Sequence, residues 1–194
     1  MRPIRCFRYL PAALPIFLLG LGWSLARSEK TEPAPGLRAG SAVSDISPTT
    51  FPVRVNGMFT ERMADKVVDP LNARALALSD NINTIVLCVV DSCMVPRDVL
   101  DDAKSRASQV TGVPVSRMLI SSTHTHSAPS AMGCLGSRSD PAYLAILPGK
   151  ISEAIIGAVK NLQPARIGWT AFDDWDHTHN RRWIRRPDRM LEDP

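Results

Sequence analysis

Four histidines stand in two His-Thr-His pairs, His124-Thr125-His126 and His177-Thr178-His179. Imidazole is the commonest metal ligand among side chains. In an extended chain residues i and i+2 project from one face, so either pair can aim two rings at one point. The first pair has the stronger setting. It follows the apolar residues Met118-Leu119-Ile120 and runs into Ser127-Ala128-Pro129, which predicts a strand ending in a turn, with both rings at its rim and Thr125 turned inward. A third protein ligand and a water meeting them there would complete a catalytic zinc site. The second pair lies in a polar stretch just before Asn180-Arg181-Arg182. It reads as surface histidine, the common fate of that residue, against the sharper alternative that all four rings share one ion. Asp91 ends an apolar run, at the position where α/β folds place working residues. It reads either as a carboxylate supporting the metal ligands or as a turn or N-cap residue before the next helix.

The elements that would position these residues follow from periodicity. Residues 37–46 form a strand closed by Ser47-Pro48, with Asp45 placed to cap backbone amides. Residues 51–68 carry Pro52, Asn56-Gly57 and mixed charges without a period, an irregular loop over one end of the sheet and long enough to suggest a role. Alternation over 71–78, the turn Ser79-Asp80-Asn81 and the nearly continuous apolar run 83–90 make a hairpin. Its second strand is expected to be buried on both faces. A helix over 96–109, stopped by Gly112, and a strand over 113–123 complete a parallel strand-helix-strand unit. Asp140-Pro141 starts a second helix whose apolar residues recur at helical spacing through Leu162, with a kink or break expected at Pro148-Gly149. A last strand is expected over 165–172. The fold class is α/β, a mixed sheet with flanking helices.

The amino terminus reads as an export signal. Arg2, Arg5 and Arg8 precede an apolar stretch over 10–25 broken by Pro11 and Pro15, and Ser24-Leu25-Ala26 suits cleavage. The expected organisation is a signal peptide over 1–26, a polar proline-containing linker over 27–36 and one domain over 37–194, in a secreted or periplasmic protein. Removal of the signal takes away three arginines and no acid, so the formal charge falls from +4 to +1. The basic balance therefore belongs mostly to the signal, and with no basic stripe interleaved with aromatics, nucleic acid is not expected as a partner. Arg181, Arg182, Arg185, Arg186 and Arg189 cluster late in the chain, and a solvated face or loop anchor is favoured over a lipid-headgroup patch. Cys88, Cys93 and Cys134 follow the signal. They allow one disulfide and a spare thiol, or none. Cys88 reads as a buried small hydrophobe, and no CxxC spacing indicates a cysteine-based zinc site. Residues 188–194 lack any capping or packing pattern, so the chain reads as truncated.

The longer string Ser122-Thr123-His124-Thr125-His126-Ser127-Ala128-Pro129 resembles the Thr-His-Thr-His-Ser-Gly-Pro signature of the neutral/alkaline (non-lysosomal) ceramidase family. The Asp-His pair of metallo-β-lactamase-like enzymes is replaced here by Ala128-Pro129. Further segments match the ceramidase pattern in order: Asp45-Ile46-Ser47-Pro48, Asp69-Pro70-Leu71 with Arg74-Ala75, Val90-Asp91 with Met94, Asn161-Leu162-Gln163-Pro164-Ala165, and Asn180-Arg181-Arg182. The resemblance implies the amino-terminal part of a zinc amidase domain that cleaves the N-acyl bond of ceramide or a related amide. It implies Zn2+ held by His124 and His126, with the third histidine, glutamate, tyrosine and serine nucleophile of the family lying further along than this chain reaches. Arg181 would correspond to an arginine facing the active site, suited to a developing oxyanion or a polar group of the substrate. The implied partner is a small-molecule or lipid amide, with peripheral membrane contact made through that substrate. Two rival readings remain: a catalytically inert truncated fragment, and a secreted protein whose His-Thr-His pairs simply capture zinc or copper.

Overall fold

The structure, a computed structural model, describes residues 36–134 and 136–177. In chain order the elements are β1 (Arg38–Asp45), β2 (Val53–Val55), β3 (Arg62–Ala64), β4 (Asn72–Ser79), β5 (Thr84–Val90), α1 (Arg97–Thr111), β6 (Met118–Ser122), α2 (Pro141–Lys160) and β7 (Gln163–Pro164). Five strands make one sheet in the order β6-β5-β4-β1-β7. All its pairings are antiparallel except β5 with β6, which run parallel with Val90 opposite Ser122. The mixed α/β sheet with flanking helices expected from the sequence is therefore present, including the hairpin β4-β5 and the parallel unit β5-α1-β6.

Both helices pack on one face of the sheet. Ala73, Ala75 and Ala77 of β4 and Val86, Cys88 and Val90 of β5 point into that layer, where they meet Leu147, Ile151 and Ile155 of α2 and Ala103 and Ala107 of α1. Small strand residues let the helix approach closely: a methyl group at Gly40 of β1 would overlap the carbonyl oxygen of Ala158 on α2. Each of the three large α2 residues contributes about 1.5–3 kcal/mol through burial. Asp140 starts this helix by accepting a hydrogen bond from the Tyr143 amide at 3.2 Å, with Pro141 in the first turn. At the other end of the connection, α1 stops at Gly112, whose φ of +73° is the left-handed cap a glycine supplies.

Several local expectations give way to tertiary context. The strand expected to be buried on both faces, β5, alternates instead: Val86, Cys88 and Val90 are buried while Ile85, Leu87 and Val89 are exposed. The reason is that the described helices cover only one face, so Val43, Leu76 and Leu119 share the open side. The expected irregular loop over 51–68 contains the hairpin β2-β3, too short to show a period. The strand expected from residue 113 begins only at Met118, after a 3₁₀ turn at Val115–Arg117, because Pro114 has no amide to pair with a neighbouring strand. Helix α2 runs through Pro148 unbroken, so of the kink or break expected there the break does not occur. The last strand is the pair Gln163–Pro164 rather than 165–172. β1 offers its edge only from Arg38 and Ala39, and Trp169 and Phe172 beyond it are exposed.

A candidate metal centre at the ends of the parallel strands

The two parallel strands, β5 and the edge strand β6, end side by side, and their following loops are tied together through the backbone. The Thr123 amide donates to the Val90 carbonyl at 3.0 Å, and the His124 amide donates to the Ser92 carbonyl at 3.0 Å. Cys93, three residues beyond β5, is thereby brought against His124, two residues beyond β6. The Cys93 sulfur lies 3.8 Å from Nδ1 of His124, and the same nitrogen lies 2.9 Å from the Cys93 carbonyl oxygen. In the tautomer that donates to this carbonyl, Nε2 of His124 keeps its lone pair free. A main-chain carbonyl bonded to one ring nitrogen is the usual support behind a metal-binding histidine.

The histidine pair reaches its geometry by a different route from the extended chain expected. β6 ends at Ser122, and His124 itself has a φ of +62°. A side-chain-bearing residue in the left-handed region costs of order 1–3 kcal/mol, strain that clusters at functional sites. The turn brings the two rings edge to face, centroids 5.0 Å apart with planes at 75°. His126 is seated by the β2-β3 hairpin: Arg62 donates to its carbonyl oxygen at 2.7 Å, and Gly57, at φ +94°, lies so near that a methyl group there would overlap the imidazole. The hairpin is itself anchored to the chain after the histidines. Asn56 donates from its amide to Ala128, Ser130 donates to Arg54, and Val55 bridges to Pro129.

One ligand atom each from Cys93, His124 and His126 lies within 4.8 Å of the other two, the metal-holding group found among the described residues. Ligands on a tetrahedral zinc stand about 3.5 Å apart, so modest side-chain rotation brings this set into range. Imidazole nitrogen and cysteine sulfur are donors that zinc accepts. The arrangement thus fits a metal ion. Both imidazoles are exposed and the cysteine is buried. Burial pushes the Cys93 thiol above its ordinary value, with Cys134 adding to the effect. Cys88, buried in the core, is pushed up to about 12. All three described cysteines are free thiols. Cys134 shares hydrogen bonds with the Asn56 side chain at 3.4 and 3.5 Å.

The remaining sequence candidates are placed differently. Asp91 binds back to β4, accepting from the Asn72 amide at 3.0 Å and from Arg74 at 2.7 Å, and it does not join the metal-holding group. His177 is exposed and paired with Asp174 at 3.1 Å, also outside that group. Arg181 and His179 lie outside the described residues, as do the signal expected over 1–26 and nearly all of the linker expected over 27–36. Cys93 is the residue that sequence reasoning missed. Only its place three residues after an apolar strand, two beyond Asp91, could have signalled it.

No protein-family model matches this sequence, and no curated protein does. Solved structures resemble it in fold. Neutral ceramidase from Pseudomonas aeruginosa superimposes with a TM-score of 0.59 and 21% identity, over 69% of this chain and 22% of that one. A ceramidase complexed with C2 gives a TM-score of 0.52 and 19% identity, over the same shares of the two chains. At such identities the likeness is one of fold, and this chain spans about a fifth of the length of the structures it matches. The described residues therefore carry a ceramidase-like fold.

Proposed function

We propose that this chain forms part of an exported zinc-dependent amide hydrolase that cleaves the N-acyl bond of ceramide or a related amide. The observation that carries this reading is the pairing of His124 and His126 at the carboxyl ends of parallel strands within a ceramidase-like fold. His124 and His126 would hold the zinc. Bound there, the ion supplies polarisation of an amide carbonyl and a water whose pKa falls to about 7. The chain's own residues orient the rings through the Cys93 carbonyl, Arg62 and Gly57.

A cavity of about 320 Å³ bordered by the residues that follow His126 supports a substrate with an apolar portion. It lies between the β2-β3 hairpin and residues 66–71, is lined by apolar Val53, Val55, Met63 and Leu71 together with charged Arg62, Lys66 and Asp69, and reaches Ser127 and Pro129 just past His126. Such a volume falls at the lower end of small-molecule sites. Arg181 is assigned contact with the developing oxyanion or a polar substrate group, and Asp91 the support of the β5 end. A lipid amide would be met at a membrane surface.

The test is hydrolysis of an N-acylsphingosine by the purified protein of which this chain forms part, with fatty-acid release measured with zinc present and after chelation. Zinc-dependent release that His124→Ala and His126→Ala abolish is the expected result. A second reading, metal capture without turnover, has one observation in its favour: no carboxylate joins the metal-holding group among the described residues. Stoichiometric zinc binding with no release from any N-acyl amide would establish it in place of the first.

A further inference from the structure

We propose that Cys93 is itself a metal ligand, so that zinc bound here is held by one thiolate and two imidazoles, with the fourth position open toward solvent. The resemblance in sequence supplies two ligands and places the others elsewhere; the third comes from the fold of this segment. The inference deepens the metal-binding half of the proposed function and is independent of its amidase half.

Proximity comes first, since the three donor atoms lie within 4.8 Å of one another. Cys93 is 1% exposed, whereas both imidazoles are open to solvent, so the sulfur closes the inner side of the site and leaves the outer side for water or substrate. The two loops are also fixed by main-chain hydrogen bonds that need no metal, from Thr123 to Val90 and from His124 to Ser92. A preorganised set loses less entropy on binding an ion. The contrast with the other cysteines is informative. Cys88 lies in the hydrophobic core among Val86, Val90 and Ile120 with no histidine in its cluster, and the Cys134 sulfur is engaged by Asn56.

Ligation is a proton exchange with no redox change: the S–H bond breaks, its proton leaves to solvent, and the sulfur lone pair forms the bond to the ion. The sulfur lies beside Nδ1 of His124, so an ion shared through that nitrogen displaces its hydrogen bond to the Cys93 carbonyl, whereas one entering through Nε2 retains the bond and requires the sulfur to rotate toward it.

The experiment titrates the full metal-free chain, purified under reducing conditions, with Co2+ and then Zn2+. A thiolate-to-cobalt charge-transfer band that zinc displaces is the expected result. Cys93→Ala should lose the band and bind zinc more than about tenfold more weakly, the least that loss of even an outer supporting group costs, while Cys134→Ala keeps both. Circular dichroism confirms that the variants fold. Independently of any variant, X-ray absorption at the zinc edge of the zinc-loaded, unaltered protein should show one sulfur neighbour beside nitrogen. Absence of cobalt binding, cobalt binding without the band, a band that survives Cys93→Ala, or a zinc edge with no sulfur neighbour would each overturn the inference. Thiolate-bound zinc without amide hydrolysis would remove the hydrolase reading and leave this one standing. Zinc-dependent hydrolysis without a thiolate signal would do the reverse.

Discussion

At the scale of single residues, the site depends on a glycine as much as on its donors. Gly57 combines a positive φ with direct approach to the His126 ring, so a side chain there is both strained and in the way. Gly57→Ala should weaken zinc binding by about tenfold or more by moving a ligand, while leaving the far side of the sheet unaffected. Competition with a chromophoric chelator measures it, and unchanged affinity would show that His126 is not a ligand in this pose. Tyr143 makes the opposite case. Its buried hydroxyl has no hydrogen-bond partner among the described residues, and burial, with the nearby charges of Asp91 and Asp45, pushes its ionisation upward. Removing a bonded hydroxyl costs about 1 kcal/mol, whereas removing an unpaired one is neutral or slightly stabilising. Tyr143→Phe should accordingly leave the thermal midpoint unchanged or raised, and a clear fall would reveal a bridging water.

At the scale of elements, the β2-β3 hairpin is what connects charge to the metal site. Glu61, just before β3, accepts from the Arg138 amide at 3.1 Å and from its guanidinium at 3.0 and 3.2 Å, with Arg54 at 3.4 Å. These partners hold its carboxyl down from 4.5 to about 2. A depressed folded value stabilises the protein above the unfolded value and is lost as pH falls through the folded one. The contribution should therefore be intact above about pH 4.5 and fade toward pH 2. Thermal melts across that window should show a loss of stability that Glu61→Gln flattens. Exposure of the pair and screening by salt keep the effect modest.

At the scale of the molecule, the sheet is two-sided in an unequal way. Its helix-covered face holds Leu147, wholly buried, while Leu119 on the other face is 62% exposed. Leu147→Ala should cost about 2–5 kcal/mol through the cavity it leaves. Leu119→Lys should stay within about 0.5 kcal/mol of the parent, as exposed changes generally do. Chemical denaturation of the two variants measures both. If Leu119→Lys proved as costly as the core change, the open face would be covered in solution. Helix α2 is long and apolar enough to cross a membrane by composition alone, yet it buries eight of its residues against the sheet and α1.

The amino-acid sequence alone determined what is local. Alternation and helical spacing located β1, β4, β5, α1 and α2 to within a few residues, Gly112 and Asp140-Pro141 marked helix ends, and the histidine pair was visible as a candidate for metal. It did not determine which face of β5 would be covered, because a run of apolar residues reads the same whether one side or both are packed. The short hairpin β2-β3 escaped because three-residue strands carry no period. Cys93 escaped for a further reason: its nearness to His124, 31 residues away, is created by the parallel pairing of β5 with β6 and by main-chain bonds between the loops that follow. Only the tertiary structure, by setting that register, turned two histidines and a buried thiol into one possible site.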